Sequence, residues 1–359
     1  MPGNLKLPRN LPDFEQRAQH QLTERVWAYL AGGSGDEHTL RSNAQAWQHI
    51  RLAPRALCDV SQLDTRQRLV GHELAAPILL APTATHGLFH PDGELATLRG
   101  AAAAETLLVA STLSTASVEQ IGAAATGPWW FQLYIQRDRG FTRELVGRAE
   151  RAGASALVLT TDLPVLATRD ADVRDELGAT PGAVYGNLEG LDLGALAARG
   201  QRVDNPHLDP GVTWADLEWL LSLTRLPLVV KGLLRPDDAA RAVAYGAAAL
   251  LVSNHGGRAL DTTPATALAL PGVVRAVDGA VPVLVDGGIR RGTDVAKALA
   301  LGASAVLVGR PYVWGLVVDG ANGVRAVVDV LRRELETAMA LLGAPTVADV
   351  SEDLLWPGQ

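Results

Sequence analysis

Eight short runs of this chain are apolar almost throughout, and they recur with helix-like segments between them. The runs are APILLAPTA (76–84), TLLVAST (106–112), WWFQLY (129–134), SALVLTTD (155–162), LPLVVKG (226–232), AALLVSNHGG (248–257), VPVLVDGG (281–288) and SAVLVGRP (304–311). Continuous apolarity, rather than strict alternation, suits parallel strands buried on both faces. PDGELATLRGAAAAE, RELVGRAERAGA, PDDAARAVAYGA and GTDVAKALALGA read as helices that stop at glycine or begin near a capping Asp or Thr. Strand–helix alternation repeated eight times in one chain favours a closed α/β fold, the (β/α)8 TIM barrel, over a doubly wound open sheet.

Two stretches fall outside the repeat. Residues 1–75 read as an N-terminal helical segment plus a connector. Residues 170–212, long, polar and glycine-rich, interrupt the barrel (76–343) after its fourth strand and read as a mobile lid. The expectation is one domain over residues 1–359.

The remaining totals exclude more than they assign. A formal charge of -7 argues against broad nucleic-acid or anionic-membrane binding. The single cysteine, Cys58, permits no intrachain disulfide and points to a reducing compartment. No stretch reads as a signal peptide or membrane span, so the expected location is the cytoplasm. No metal site is expected.

Barrel active sites form at the C-terminal ends of the strands, and polar residues collect there. The ends carry Gln132 and Tyr134, Thr160 and Asp162, Lys231, His255 and Arg258, Asp286 and Arg290, and Gly309 and Arg310. Singly each has an ordinary reading: Lys231 as a surface charge, Asp162 as a helix cap, His255 as a structural loop residue. Six strand ends converging on one mouth weaken that reading. VDGGIRRGTD and LVGRP close the last two runs, where barrels commonly bind phosphate through backbone N–H groups and a helix N-terminus. A phosphorylated ligand is therefore expected, with Arg290 and Arg310 adding charge-assisted bonds.

From about Tyr29 to Met339 the chain resembles the FMN-dependent 2-hydroxy acid oxidases and dehydrogenases, a family that includes glycolate oxidase, lactate oxidase, mandelate dehydrogenase and 4-hydroxymandelate oxidase. SNHGGRALD is similar to the family's active-site signature, and APTATHGLFHPDGE, FQLY, LTTDLP, DGGIRRGTDVAKALALGA and VGRP match in order. The resemblance implies His255 as general base, taking a proton while a hydride equivalent passes to flavin N5. It implies Asp162 as the carboxylate that stabilises the imidazolium, and Tyr134 as a hydrogen-bonding partner near the substrate oxygen. Arg258 would hold the substrate carboxylate, with Tyr29 as a second donor and Arg169 assisting from the rim. For FMN it implies Pro82, Thr83 and Ala84 against the ring, Ser111, Gln132 and Thr160 at the pyrimidine edge, and Lys231 near N1 and O2. Asp286 and Gly287 would meet the ribityl chain, and Gly288, Arg290, Gly309 and Arg310 the phosphate. It also implies a homotetramer.

Three positions depart from the family pattern. Ala259 stands where the signature usually has Gln. LATRDAD keeps Arg169 but has Thr168 where a second arginine is common. VRDELGATPG lacks a frequent aromatic residue. Leu113, at a position held by Trp in glycolate oxidase, and Leu166 leave room for a substrate larger than glycolate, such as mandelate. With no fused haem domain and no membrane-anchoring apolar segment in the insert, the expectation is an oxidase that returns electrons to oxygen as hydrogen peroxide. The alternative is a soluble dehydrogenase with another acceptor. A prenyl-diphosphate isomerase would not need His255 and Arg258 with Tyr29, and a flavin-free phosphosugar barrel would leave Lys231 and Gln132 unexplained. A non-catalytic flavin binder would have no use for His255 and Asp162.

Overall fold

Three helices precede the first strand in the computed structural model, which describes residues 8–170, 184–191 and 208–357. They are α1 (Leu11–Gln21), α2 (Glu24–Ala31) and α3 (His38–His49). Asn10 and Thr23 start the first two by accepting backbone N–H groups with their side chains. A two-stranded antiparallel hairpin follows, β1 (Gln67–Leu69) and β2 (His72–Leu74). The reading of residues 1–75 as helices plus connector did not include it; three-residue strands carry too little pattern to stand out.

The barrel then alternates as β3 (Ile78–Leu80), α4 (Gly93–Ala103), β4 (Leu108–Ala110), α5 (Val118–Ala124), β5 (Trp129–Leu133), α6 (Arg139–Arg151) and β6 (Leu157–Thr160). After the insertion come α7 (Trp214–Leu223), β7 (Leu228–Leu233), α8 (Pro236–Ala244), β8 (Ala249–Val252), α9 (Thr266–Val277), β9 (Val283–Val285), α10 (Gly292–Ala300), β10 (Ala305–Val308) and α11 (Arg310–Leu342). All eight barrel strands pair in parallel, and β10 returns to β3, so the sheet closes. Most of the expected lid, at 171–183 and 192–207, lies outside the described residues.

Successive side chains on a strand point to opposite faces, and the two buried clusters follow that period. Ile78, Leu80, Trp129, Leu157 and Val230 belong to the cluster between sheet and helices. Leu79, Ala81, Val109, Trp130, Val158, Val229, Leu251, Leu284 and Leu307 belong to the barrel interior. Leu69 and Leu74 of the hairpin join that inner cluster. Each fully buried Val, Leu or Ile side chain among them contributes about 1.5–3 kcal/mol. The apolar runs look uniform in sequence because both faces are buried.

The N-terminal helices are fastened to the strand ends. Trp47 of α3 donates through Nε1 to Gly287 O at 2.8 Å, and Lys297 of α10 donates to Trp47 O at 2.7 Å. α11, which breaks its helical geometry at Asp319–Gly320, lies against α1, α4 and α10.

Candidate active site

On six of the eight strands the barrel interior turns polar two residues beyond the last inward apolar side chain. The period carries Val109 to Ser111, Trp130 to Gln132, Val158 to Thr160, Val229 to Lys231, Leu251 to Ser253 and Leu284 to Asp286. All six polar residues are buried. They form a layer that closes the apolar interior at its C-terminal end.

Half of that layer is neutral and bonded to itself. Ser111 Oγ donates to Gln132 Oε1 at 3.2 Å, the Thr112 N–H donates to the same oxygen, and Gln132 Nε2 donates to Thr160 Oγ1 at 2.9 Å. The other half is ionic. His255 Nδ1 lies 2.9 Å from Asp162 Oδ1, and Lys231 Nζ lies 3.2 Å from the same nitrogen and 3.5 Å from Asp162 Oδ2. Burial raises the Asp162 pKa, but the charges of His255 and Lys231 outweigh it and bring it to about 2, so the carboxylate is ionised. Burial favours the neutral His255 ring, and in that form an ionised acceptor at 2.9 Å requires the single proton on Nδ1, which leaves Nε2 with its lone pair. Lys231 cannot then donate to Nδ1; its role in the trio is charge compensation.

His255 occupies the left-handed region at φ +59°, uncommon for a side chain of its size. Gly256 and Gly257 follow it there. A Cβ on Gly257 would stand 2.6 Å from the backbone Cα of Leu40 in α3, so only glycine lets the turn press against that helix. The apolar run ends abruptly at Asn254–Arg258 because the chain must turn at once beneath the N-terminal segment. Asn254 and Asn43 exchange reciprocal amide bonds at 2.8 Å, and Asn254 Oδ1 also accepts from the Gly257 N–H. Ser253 Oγ accepts the His255 N–H at 3.0 Å.

One cleft at this end of the barrel, with about 1180 Å³ of empty space including its open mouth, gathers most of the expected residues. Tyr29, Pro82, Thr83, Ala84, Tyr134, Arg169, Lys231, His255, Arg258, Asp286, Gly287, Gly288, Arg290, Gly309 and Arg310 line it. Asp162 reaches it through His255. Ser111, Gln132 and Thr160 do not line it; their polar groups are taken up within the neutral row. Arg258 donates to the carbonyls of Tyr29 and Gly32, both at 2.8 Å, and its guanidinium lies 5.1 Å from the Tyr29 ring centre. Arg169 lies 5.3 Å from the same ring. Burial raises the Tyr134 hydroxyl far above its usual range, so it remains a proton-bearing donor.

The opposite end of the cleft is cationic. Burial lowers the pKa of Arg290 and, more strongly, that of Arg310, which also feels Arg258 and Arg290. Arg310 donates to the carbonyls of Leu30, Gly32 and Gly256, so it braces the end of α2 as well as carrying charge. Arg290 lies 4.9 Å from the ring centre of Trp314. Gly309 caps α11 without a side-chain bond to its first N–H groups. Asp286 Oδ1 is buried without a protein hydrogen-bond partner. Two desolvated guanidinium groups, an uncapped helix start and an orphaned carboxylate oxygen fit a ligand with a phosphate and a hydroxylated chain, as FMN has.

The sequence alone gives no role to Ser253, Asn254 or Asn43. Ser253 was recoverable from the period-two register alone. Asn43 was not, since nothing local ties it to a turn 211 positions away.

A closed parallel barrel with a phosphate-adapted end and an oriented His–Asp pair beside a buried lysine is the architecture of a flavin-dependent oxidoreductase. The family model described as FMN-dependent dehydrogenase matches residues 18–357. An L-lactate oxidase of Nostoc sp. is 49% identical over 97% of this chain and 98% of its own. A peroxisomal (S)-2-hydroxyacid oxidase of Arabidopsis thaliana is 44% identical, over 96% and 95%. Among solved structures, a mandelate oxidase crystallised with (S)-2-phenylpropionate superposes with a TM-score of 0.89 at 40% identity, over 97% and 98%. The chain belongs to the FMN-dependent 2-hydroxy acid oxidase and dehydrogenase family, and FMN is its cofactor. Among the described residues no helix is long and apolar enough to cross a membrane.

Proposed function

We propose that this protein oxidises an L-2-hydroxy acid to the 2-oxo acid and delivers the two electrons and two protons to oxygen as hydrogen peroxide. The observation that carries the reading is the Asp162–His255–Lys231 trio, opening into a cleft whose far end suits a phosphate. Arg258 holds the substrate carboxylate, with the Tyr29 hydroxyl and Arg169 beside it. His255 Nε2 takes the substrate hydroxyl proton, and Asp162 stabilises the imidazolium that results. Tyr134 donates a hydrogen bond to the substrate oxygen. Bound FMN would supply the acceptor for the C2 hydrogen and its electron pair, and the route of those electrons and protons to oxygen. Pro82–Ala84 would face its ring, where Lys231 would offset negative charge, and Ser111, Gln132 and Thr160 would reach its pyrimidine edge by exchanging bonds they now make within their own row. Asp286 and Gly287 serve the ribityl chain, and Gly288, Arg290, Gly309 and Arg310 the phosphate.

The substrate we favour is larger than glycolate and mandelate-like. Leu113, Leu163, Leu166 and Ala167 give the cleft an apolar wall without a bulky ring, and Leu166 is half exposed. Anaerobic mixing of the holoenzyme with a panel of 2-hydroxy acids, followed by air, tests both parts. Mandelate should bleach the flavin band fastest, and air should restore it with stoichiometric peroxide. Faster bleaching by glycolate would overturn the size assignment. Slow recovery in air would overturn the oxidase assignment in favour of another acceptor.

A further inference from the structure

The loop leaving β3 carries the cleft-lining residues Pro82, Thr83 and Ala84, and directly behind it lies a buried polar chain that the proposed reaction does not use. Thr85, β-branched, sits in the left-handed region at φ +52°, and its buried hydroxyl has no hydrogen-bond partner. A conformation that such a residue avoids must be held by its neighbours. His86 follows, 1% exposed.

Three bonds make up the chain, two of them at the His86 ring. Thr97 Oγ1 lies 3.0 Å from its Nδ1, its Nε2 lies 3.1 Å from the Tyr312 hydroxyl, and that hydroxyl donates to Ala81 O at 2.8 Å. The single Tyr312 proton is spent on Ala81 O, so Nε2 must carry a proton and donate it to Tyr312. Nδ1 is then the acceptor for the Thr97 hydroxyl, which prefers it to Gly93 O at 3.5 Å. Burial lowers the His86 pKa against the opposing pull of Glu94, consistent with one ring proton. The Thr83 side chain is a further hydrogen-bond neighbour of the Tyr312 hydroxyl. Buried Glu94 ties down the segment's flank by accepting the N–H groups of His86, Thr115 and Ala116.

Tyr312 lies two residues past Arg310, at the start of α11, so the chain joins the two ends of the cleft. We propose that His86 and Tyr312 are positioning residues for the cofactor: a hydrogen-bonded brace that fixes the Ala81–Ala84 loop against the phosphate end and so sets how tightly FMN is held and how its ring is surrounded. This rests on the reading that the flavin ring faces Pro82–Ala84. The brace touches neither substrate nor base.

The test is FMN binding to apoprotein, followed by flavin fluorescence quenching, together with the visible spectrum of each holoenzyme. Tyr312→Phe strands the Ala81 carbonyl and the His86 Nε2–H, and His86→Leu takes the donor from the Tyr312 oxygen and the acceptor from the Thr97 hydroxyl. Each should raise the FMN dissociation constant by about tenfold and shift the flavin band, since one lost bond to a buried group is of that size. His86→Gln keeps an N–H donor at the Nε2 end and should stay within about threefold of wild type. Thr97→Val, nearly isosteric, gives a milder second probe should His86→Leu fold poorly, and should weaken FMN binding in the same direction. The pH dependence of flavin reduction should not move, because the His255 trio is untouched. Wild-type affinity and spectrum in Tyr312→Phe and Thr97→Val, even with a lower melting temperature, would make the chain merely structural and overturn the brace. Failure of wild-type apoprotein to bind FMN at all would instead overturn the functional reading, and the brace with it.

Discussion

The polar layer that closes the barrel interior is built in two contrasting arcs. Along β4–β6, Ser111, Gln132 and Thr160 are uncharged and satisfy one another. Along β7–β9, Lys231, Ser253 and Asp286 stand beside Asp162 and His255, with strained backbone at His255 and an orphaned oxygen on Asp286. The same strand geometry produces both. A self-satisfied row is rigid and tolerates no titration, so it can define shape. An ionic row left partly unpaired holds groups whose charge can change, so it can move protons. The contrast predicts that the arcs fail in different ways when altered.

The largest effect belongs to the ionic arc. His255→Gln removes the base while keeping a polar side chain, and flavin reduction by substrate should fall by about 10²–10⁴-fold. The protein should remain yellow, because the proposed phosphate contacts of Arg290 and Arg310 are untouched. Stopped-flow absorbance of the anaerobic enzyme measures the rate. A variant reducing its flavin at the wild-type rate would remove His255 from the mechanism.

Asp162→Asn separates charge from shape. Losing one charge-assisted bond to the imidazolium should slow reduction by roughly 10–100-fold. Its effect on pH has a definite sign. Burial lowers the His255 pKa and Asp162 opposes that, while Lys231 adds to it. The base acts when neutral, so the wild-type rate should rise with pH through a value below histidine's ordinary 6.5 and then level off. Removing the Asp162 charge removes the opposing influence, and the acid limb should move to still lower pH. A limb that moved upward would show that Asp162 does not face the ionising imidazole.

The neutral arc should respond in stability rather than proton chemistry. Gln132→Met is close in volume but strands the Thr112 N–H and the Ser111 and Thr160 hydroxyls. An unsatisfied buried group costs about 1–3 kcal/mol, so the denaturant midpoint should fall. The acid limb should stay where it is. A shifted limb would mean that the two arcs are electrostatically coupled and that the division drawn above is wrong.

Much of this arrangement was legible in the sequence because it is local. Apolar runs marked the strands, and polar residues at their ends marked the mouth, as Lys231, Asp286 and Tyr134 illustrate. The spacing marks four of the barrel helices, α4, α6, α8 and α10. α5, α7, α9 and α11 were not among them: α5 is only seven residues long, and α9 carries an internal Pro271. What stayed hidden depends on contacts between distant segments. The Asn43–Asn254 exchange, the packing of Leu40 on the Gly257 turn and the bonds from Arg258 and Arg310 to the end of α2 all join the N-terminal helices to the mouth. No pattern within a window of 15 residues announces them. Residues 1–75 read as a preface to the barrel, yet they supply one wall of its site.

The smallest expected effect tests whether the neutral arc sets substrate size. Leu113 follows the Ser111–Thr112 corner, donates its N–H to Ser111 Oγ at 3.1 Å and lines the cleft. Leu113→Trp should fill space without touching the trio. With two substrates compared, kcat/KM for mandelate should fall relative to lactate by roughly tenfold, the range that excess bulk in an apolar pocket commonly commands. The acid limb should again be unmoved. An equal loss for both acids would place Leu113 against the cofactor rather than the substrate. The neutral arc would then shape the flavin site, and the determinant of substrate size would have to lie with the other apolar lining residues Leu163, Leu166 or Ala167.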